Sequence, residues 1–176
     1  VGLCVMVAAL AYSTGPYPLS HHGLGDITVI IFFGVIPVTL TFWLQTGEWS
    51  ESVTLLGASL AVGMMAANVL IVNNYRDMDD DMSVGKKTTV VIFGRKVMGA
   101  VYLISGVLAM ILTIPLWKSL PLWTVFLPAI YLMMHISTWR KIIKSRGSAL
   151  NPLLGKTAMN LLMFSLMLLA VVLIAG

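Results

Sequence analysis

The stretch that decides the fold is VTLLGASLAVGMMAANVLIVNNYRDMDDD, Val53 to Asp81. Its first 23 residues carry no formal charge, and five of its last six do. At about 1.5 Å per helical residue the uncharged part reaches roughly 34 Å, enough to cross about 30 Å of bilayer hydrocarbon. A soluble helix of that length would need a polar face along it. This one predicts a membrane span that ends in a cluster of acids.

Working outward, the other charge-free intervals have the same length. There are 21 uncharged residues between Asp26 and Glu48, 21 between Lys96 and Lys118, 21 between Lys118 and Arg140, and 20 after Lys156. They predict spans near 27–44, 53–75, 97–117, 122–139 and 157–175. Val1 to Tyr12 is apolar but too short, and Gly15-Pro16-Tyr17-Pro18 ends it with a turn, so it reads as the close of a helix begun upstream. Val1 in place of an initiator Met, with no secretory signal pattern, adds to the expectation that the chain is the C-terminal portion of a longer protein. The fold class expected is all-α, a polytopic transmembrane helix bundle forming a single transmembrane domain over 1–176.

Composition agrees. The 176 residues are 59% hydrophobic and 10% charged, with a mean hydropathy of +0.94, which excludes a soluble globular domain and a disordered chain. The one cysteine, Cys4, excludes an internal disulfide and reads as a small packing residue. The net charge of +4 comes from bases confined to the gaps between spans, which reports orientation and not nucleic acid. Alternate loops receive ten Lys and Arg on one side and Lys118 alone on the other. By the positive-inside bias the ten lie in the cytoplasm, together with the acidic cluster and the His21-His22 loop.

Four of the seven acids fall within Asp77-Met78-Asp79-Asp80-Asp81. On a continued helix Asn73, Asp77 and Asp81 share one face, with Asp80 beside Asp77. Like charges at that spacing repel, and a divalent cation would remove the conflict. Oxygen-only ligands select a hard ion, and Mg²⁺ characteristically combines one or two carboxylates with waters and phosphate oxygens. Lys86, Lys87, Arg95 and Lys96 follow in the same loop, so acids for Mg²⁺ stand next to bases for phosphate. The alternative is a solvated juxtamembrane loop whose bases serve topology and anionic lipid. Within the bilayer, Ser59, Gly63 and Ala67 form a small-residue stripe suited to close helix contact, and Asn68 needs a polar partner. His135 reads as a packed, hydrogen-bonded residue, and the twelve Met as adaptable packing.

Asn73-Asn74-Tyr75-Arg76-Asp77-Met78-Asp79-Asp80-Asp81 followed by Gly85-Lys86-Lys87-Thr88 resembles the second Asp-rich motif of the UbiA superfamily of intramembrane prenyltransferases. Its form is similar to the branch that prenylates 1,4-dihydroxy-2-naphthoate in menaquinone synthesis. Gly15-Pro16-Tyr17-Pro18-Leu19, His22-Gly23-Leu24-Gly25-Asp26 and Asn151-Pro152-Leu153-Leu154 are similar to two further segments of that branch. The resemblance implies a nine-helix bundle, of which this chain would supply the end of the fourth helix through the ninth. The family's first Asp-rich motif has no counterpart here.

The resemblance further implies transfer of a polyprenyl group from polyprenyl diphosphate to 1,4-dihydroxy-2-naphthoate, with loss of CO₂ and diphosphate, at the inner cell membrane. Asp77 and Asp81, with Asp80, would hold Mg²⁺. Asn73, Asn74, Arg76 and Lys86 would hold the donor, and His22 and Asp26 the acceptor, with His21 solvated. A different aromatic acceptor, or a transporter or cation-binding membrane module, are the other readings of the same residues.

Overall fold

The computed structural model describes residues 18–49, 52–118 and 120–174, the backbone of Ala175, and Gly2, Met6, Val7, Leu10 and Tyr12 of the N-terminal stretch. Those five N-terminal positions are helical, whereas Cys4 and the Gly15-Pro16-Tyr17 turn lie outside the described residues. Among the described residues five helical segments are long and apolar enough to cross a bilayer. They contain α1 (Gly25–Thr46), α2 (Val53–Ser83), α3 (Thr89–Leu112), α4 (Phe126–Ile142), which a short turn Leu122–Val125 leads into, and α5 (Asn151–Ala175), which Gly147–Leu150 leads into. The bundle is all-α, with no strand among the described residues.

α2 is the axis of the bundle. It packs against α1, α3 and α5, while α4 lies on α3 and α5. Small residues make this possible. A Cβ on Gly34 of α1 would collide with Gly63 Cα and the Ser59 carbonyl, and one on Gly63 would meet the Ile30 carbonyl oxygen at 2.5 Å. The stripe of Ser59, Gly63 and Ala67 is buried, so two backbones meet where side chains ordinarily separate them. α1 accommodates the contact with a π-helical turn, Ile31–Val35, which ends one residue short of Pro37. Proline has no N–H to give the preceding turn, and a wide turn is one way to absorb the mismatch.

Several buried polar groups inside the bundle find partners across helices. Ser105 Oγ donates to Asn68 Oδ1 at 2.8 Å, joining α3 to α2. His135 Nε2 lies 3.0 Å from the Tyr102 carbonyl oxygen, and its ring stacks on that of Tyr102 with centroids 4.7 Å apart. Gly106 leaves the slot it occupies, since a Cβ there would collide with the imidazole. Below them, Met65, Tyr131, Phe164 and Met167 form one apolar cluster, and at the polar end Tyr75, Tyr102, Ile142 and Leu150 belong to another.

The helices differ from the charge-free intervals at their ends. α3 starts at Thr89, not near 97, because Thr88 caps it by accepting from Val91 N, and the chain then breaks and resumes at Gly94 (φ 78°, ψ 161°). It stops at Leu112, with a separate short helix Ile114–Trp117 opening at Pro115. α5 begins at Asn151, six residues before the predicted 157. Charge marks where hydrocarbon begins, whereas helices run on into the polar layer until a cap or a proline stops them.

Contacts place three loops at one end of the bundle. Lys87 N donates to the His21 carbonyl at 3.0 Å, and Arg76 Nη1 to Asn151 Oδ1 at 3.2 Å. In a Cys4→Ser background, Val84→Cys and Ser145→Cys should react with a membrane-impermeant maleimide from one side of the membrane and Trp49→Cys from the other; labelling of all three from one side would contradict this arrangement. Gly63→Leu should destabilise the protein by about 3 kcal/mol in thermal unfolding, the cost of overpacking a closed contact. Gly155→Leu, whose Cβ would meet nothing within 4 Å, should change it little.

Candidate functional site

At the basic end, a cavity of about 230 Å³ lies between the loop before α1, the polar turns of α2 and the start of α3. Asp26, Asn73, Asn74 and Lys86 all line it, so four residues separated by up to 60 positions in the chain meet there. The loops are pinned to each other by backbone. His22 and Lys87 form an isolated parallel bridge, and His22 Nδ1 lies 2.8 Å from the Pro18 carbonyl oxygen. Gly85, at φ 75°, lets the chain reverse after α2, a conformation side-chain-bearing residues rarely adopt. Lys86 N then donates to the Asp81 carbonyl at 2.9 Å, and Lys86 Nζ reaches Asp81 Oδ1 at 3.0 Å.

Two carboxylates here each keep one oxygen without a partner. Asp81 is buried, and its Oδ2 accepts no hydrogen bond. Asp26 Oδ2 accepts from Thr89 Oγ1 at 2.5 Å, while its Oδ1 is buried and unbonded. A buried unbonded carboxylate oxygen is costly, and such groups ordinarily gain a donor or a cation.

Asp77 sits differently. The Arg76 guanidinium holds it by Nε at 2.6 Å and Nη2 at 2.7 Å, and Asn73 Nδ2 donates to it at 3.3 Å. Arg76 also donates to Asn73 Oδ1 at 2.9 Å, so Arg76, Asp77, Asn73 and Asn151 make one network that ties α2 to the head of α5. Asp79 pairs with Arg95 at 3.0 Å, and Asp80 is exposed. Among the described residues no three His, Cys, Asp or Glu side chains come together. The expected grouping of Asp80 with Asp77 and Asp81 is therefore not formed: Arg76 draws Asp77 to itself, Lys86 draws Asp81, and Asp80 keeps to the exposed side.

Of the residues expected at the acceptor, Asp26 lines the cavity and His22 does not; His21 takes that place, with Thr88 and Thr89. His21, expected to be solvated, is exposed and borders the cavity as well, whereas the approach of Thr88 and Thr89 to Asp26 was not read because the pairing of the 18–24 loop with 86–88 has no periodic signal. The Thr88-Thr89 pair ahead of an apolar run carried a capping signal that could have fixed the start of α3 and so its approach to Asp26.

The sequence matches the UbiA prenyltransferase family over residues 1–164. The chain belongs to that family. It is similar to the 1,4-dihydroxy-2-naphthoate octaprenyltransferase of Haemophilus influenzae, 38% identical over 53% of this chain and 30% of the relative. It is also similar to the Escherichia coli protein of that name, 38% identical over 51% of this chain and 28% of the relative. The 2-carboxy-1,4-naphthoquinone phytyltransferase of Synechocystis is 27% identical over 64% of this chain and 36% of the relative. The matched stretches thus span about a third of the length of these relatives. No solved structure matches. UbiA membership and the five apolar helices make the chain a multi-pass membrane member of the UbiA prenyltransferase family.

Thr89→Val should cost about 1–3 kcal/mol of stability, because both oxygens of half-buried Asp26 then lack a donor. Thr89→Ser should restore most of it in the same thermal unfolding experiment, and equal losses for the two variants would refute the role given to the hydroxyl.

Proposed function

We propose that this chain supplies the half of a prenyltransferase site that holds the donor diphosphate, and that the complete protein transfers a polyprenyl group from polyprenyl diphosphate to 1,4-dihydroxy-2-naphthoate with loss of CO₂, in menaquinone synthesis. The observation that carries the reading is the cavity that joins Asp26, Asn73, Asn74 and Lys86 beside Asp81, whose Oδ2 is buried and unbonded. The names of the relatives support the acceptor class.

The donor set fits a hard divalent cation: oxygens only, one of them a carboxylate oxygen with no hydrogen-bond donor. Asp81 and Asp77 are the residues that would hold Mg²⁺. When bound, the ion supplies positive charge to the diphosphate as its bond to the allylic carbon breaks. Lys86 adds a fixed cation at the cavity wall, and the amides of Asn73 and Asn74 donate to phosphate oxygens. For Asp77 to help hold the ion it would have to release the hydrogen bonds it accepts from Arg76, whose guanidinium would then be available to a diphosphate oxygen. The leaving group departs with the bonding electron pair, and the electron-rich naphthoate ring attacks the allylic carbon. Release of CO₂ returns the electron pair of the carboxyl bond to the ring. Asp26 and His21 face the acceptor side of the cavity, where Asp26 orients an acceptor hydroxyl. We place this end of the bundle on the cytoplasmic side of the inner membrane, following its ten basic residues.

In the full-length protein Asp81→Ala and Asp77→Ala should each lower prenyl transfer by about 10²-fold or more, the loss typical of one electrostatic stabiliser of developing charge. Insertion and thermal stability should persist, and near-normal turnover in either variant would reject the assignment of that acid. Lys86→Ala should raise the donor KM more than it lowers kcat. Chelation should abolish turnover and added Mg²⁺ restore it.

A further inference from the structure

A second cavity, of about 410 Å³, lies between α3 and α4 at the basic end and shares no lining residue with the first. Its polar mouth is built from Arg95, Lys96 and Arg146. The guanidinium carbons of Arg95 and Arg146 lie 6.0 and 5.8 Å from the centroid of one ring, that of Tyr75. Two cations held against one aromatic ring repel each other, and an anion bound by both relieves the repulsion. Among the described residues the one acid bonded to either is Asp79, which is largely exposed, and Arg95 Nε is buried with no hydrogen-bond partner.

Away from the mouth the groove is apolar. It follows Leu103 and Ile104 on α3 and Trp139 and Ile143 on α4. From Arg95 to Ile104 is about 13 Å of helix, close to the depth of one leaflet's hydrocarbon. The neighbouring surface of α3 exposes Val97, Val101 and Ile104, so the groove opens onto a face suited to acyl chains. Trp139 donates its Nε1 hydrogen to the Gly99 carbonyl at 2.8 Å, which holds the indole near the headgroup level where tryptophan is favoured.

We propose that this groove binds an anionic phospholipid, its phosphate between Arg95, Lys96 and Arg146 and one acyl chain along α3 and α4. A zwitterionic headgroup would bring a quaternary ammonium to the same cations, so the site prefers phosphatidylglycerol to phosphatidylcholine. The inference stands apart from the transferase reading, since it uses neither that cavity nor its acids.

The test uses the full-length protein in bilayers, with Trp139 retained and the other tryptophans replaced by Phe. Dibrominated phosphatidylglycerol should quench Trp139 at a mole fraction well below that needed for dibrominated phosphatidylcholine. Lys96→Gln and Arg146→Gln should each cut that preference by roughly fivefold, the effect of one basic residue at an anionic surface, without changing quenching by phosphatidylcholine. Equal quenching by the two lipids would overturn the proposal. So would reversal of the phosphatidylglycerol effect by millimolar inorganic diphosphate, which would make this a site for a soluble anion. Where the tryptophan replacements do not fold, native mass spectrometry of otherwise unaltered protein provides the second readout: preferential retention of phosphatidylglycerol, lost in the Lys96→Gln/Arg146→Gln variant, supports the site, and retention unchanged by that variant rejects it.

Discussion

A helix of 31 residues is about 46 Å long, and hydrocarbon accepts about 30 Å of it, so α2 must carry its last turns into the polar layer. Those turns hold the charged run from Arg76 to Asp81. Their height is set further down, where α1 and α2 touch backbone to backbone at Gly34 and Gly63. Helix association inside a bilayer gains little from the hydrophobic effect and depends on close packing of this kind. The acids are therefore presented by a rod fixed at its waist, not by a mobile loop, and the loop before α1 is brought to them by the same helix that makes the contact.

The polar end resolves a charge conflict in pairs. Four acids within five residues would repel one another, and the fold assigns three of them a base: Arg76 to Asp77, Arg95 to Asp79 and Lys86 to Asp81. Each pair leaves α2 on a different bearing. Arg76 continues to Asn151 on α5, Arg95 reaches from α3, and Lys86 comes from the turn that follows the helix. Partly exposed pairs of this sort contribute little to stability. Their effect here is directional, since they decide which carboxylate oxygens are committed and which, like Asp81 Oδ2, are not.

Most of the bundle was legible in the sequence because a bilayer imposes length and charge rules that survive without knowledge of packing. Five spans, their shared polar end and the close contact at Ser59, Gly63 and Ala67 follow from those rules. Helix ends were less legible, as with Thr89 and Leu112, where capping and Pro115 decide and charge does not. Within the site, Asn73, Asn74 and Lys86 follow from the helical face and the turn after it, and Asp26 meets them in the cavity. That His21 and not His22 borders the cavity depends on which backbone carbonyls the loop offers, and the dispersal of Asp77, Asp80 and Asp81 depends on neighbouring cations, so neither could be read from spacing alone.

His135 seated against Gly106 has a mechanical consequence. An imidazole filling a notch in the facing helix works as a key: α3 and α4 can neither slide past each other nor roll without driving the ring into backbone. Depth is thereby indexed between the two helices, and together with the Trp139–Gly99 hydrogen bond this side chain helps keep Arg95 on one and Arg146 beyond the other beside the same tyrosine ring.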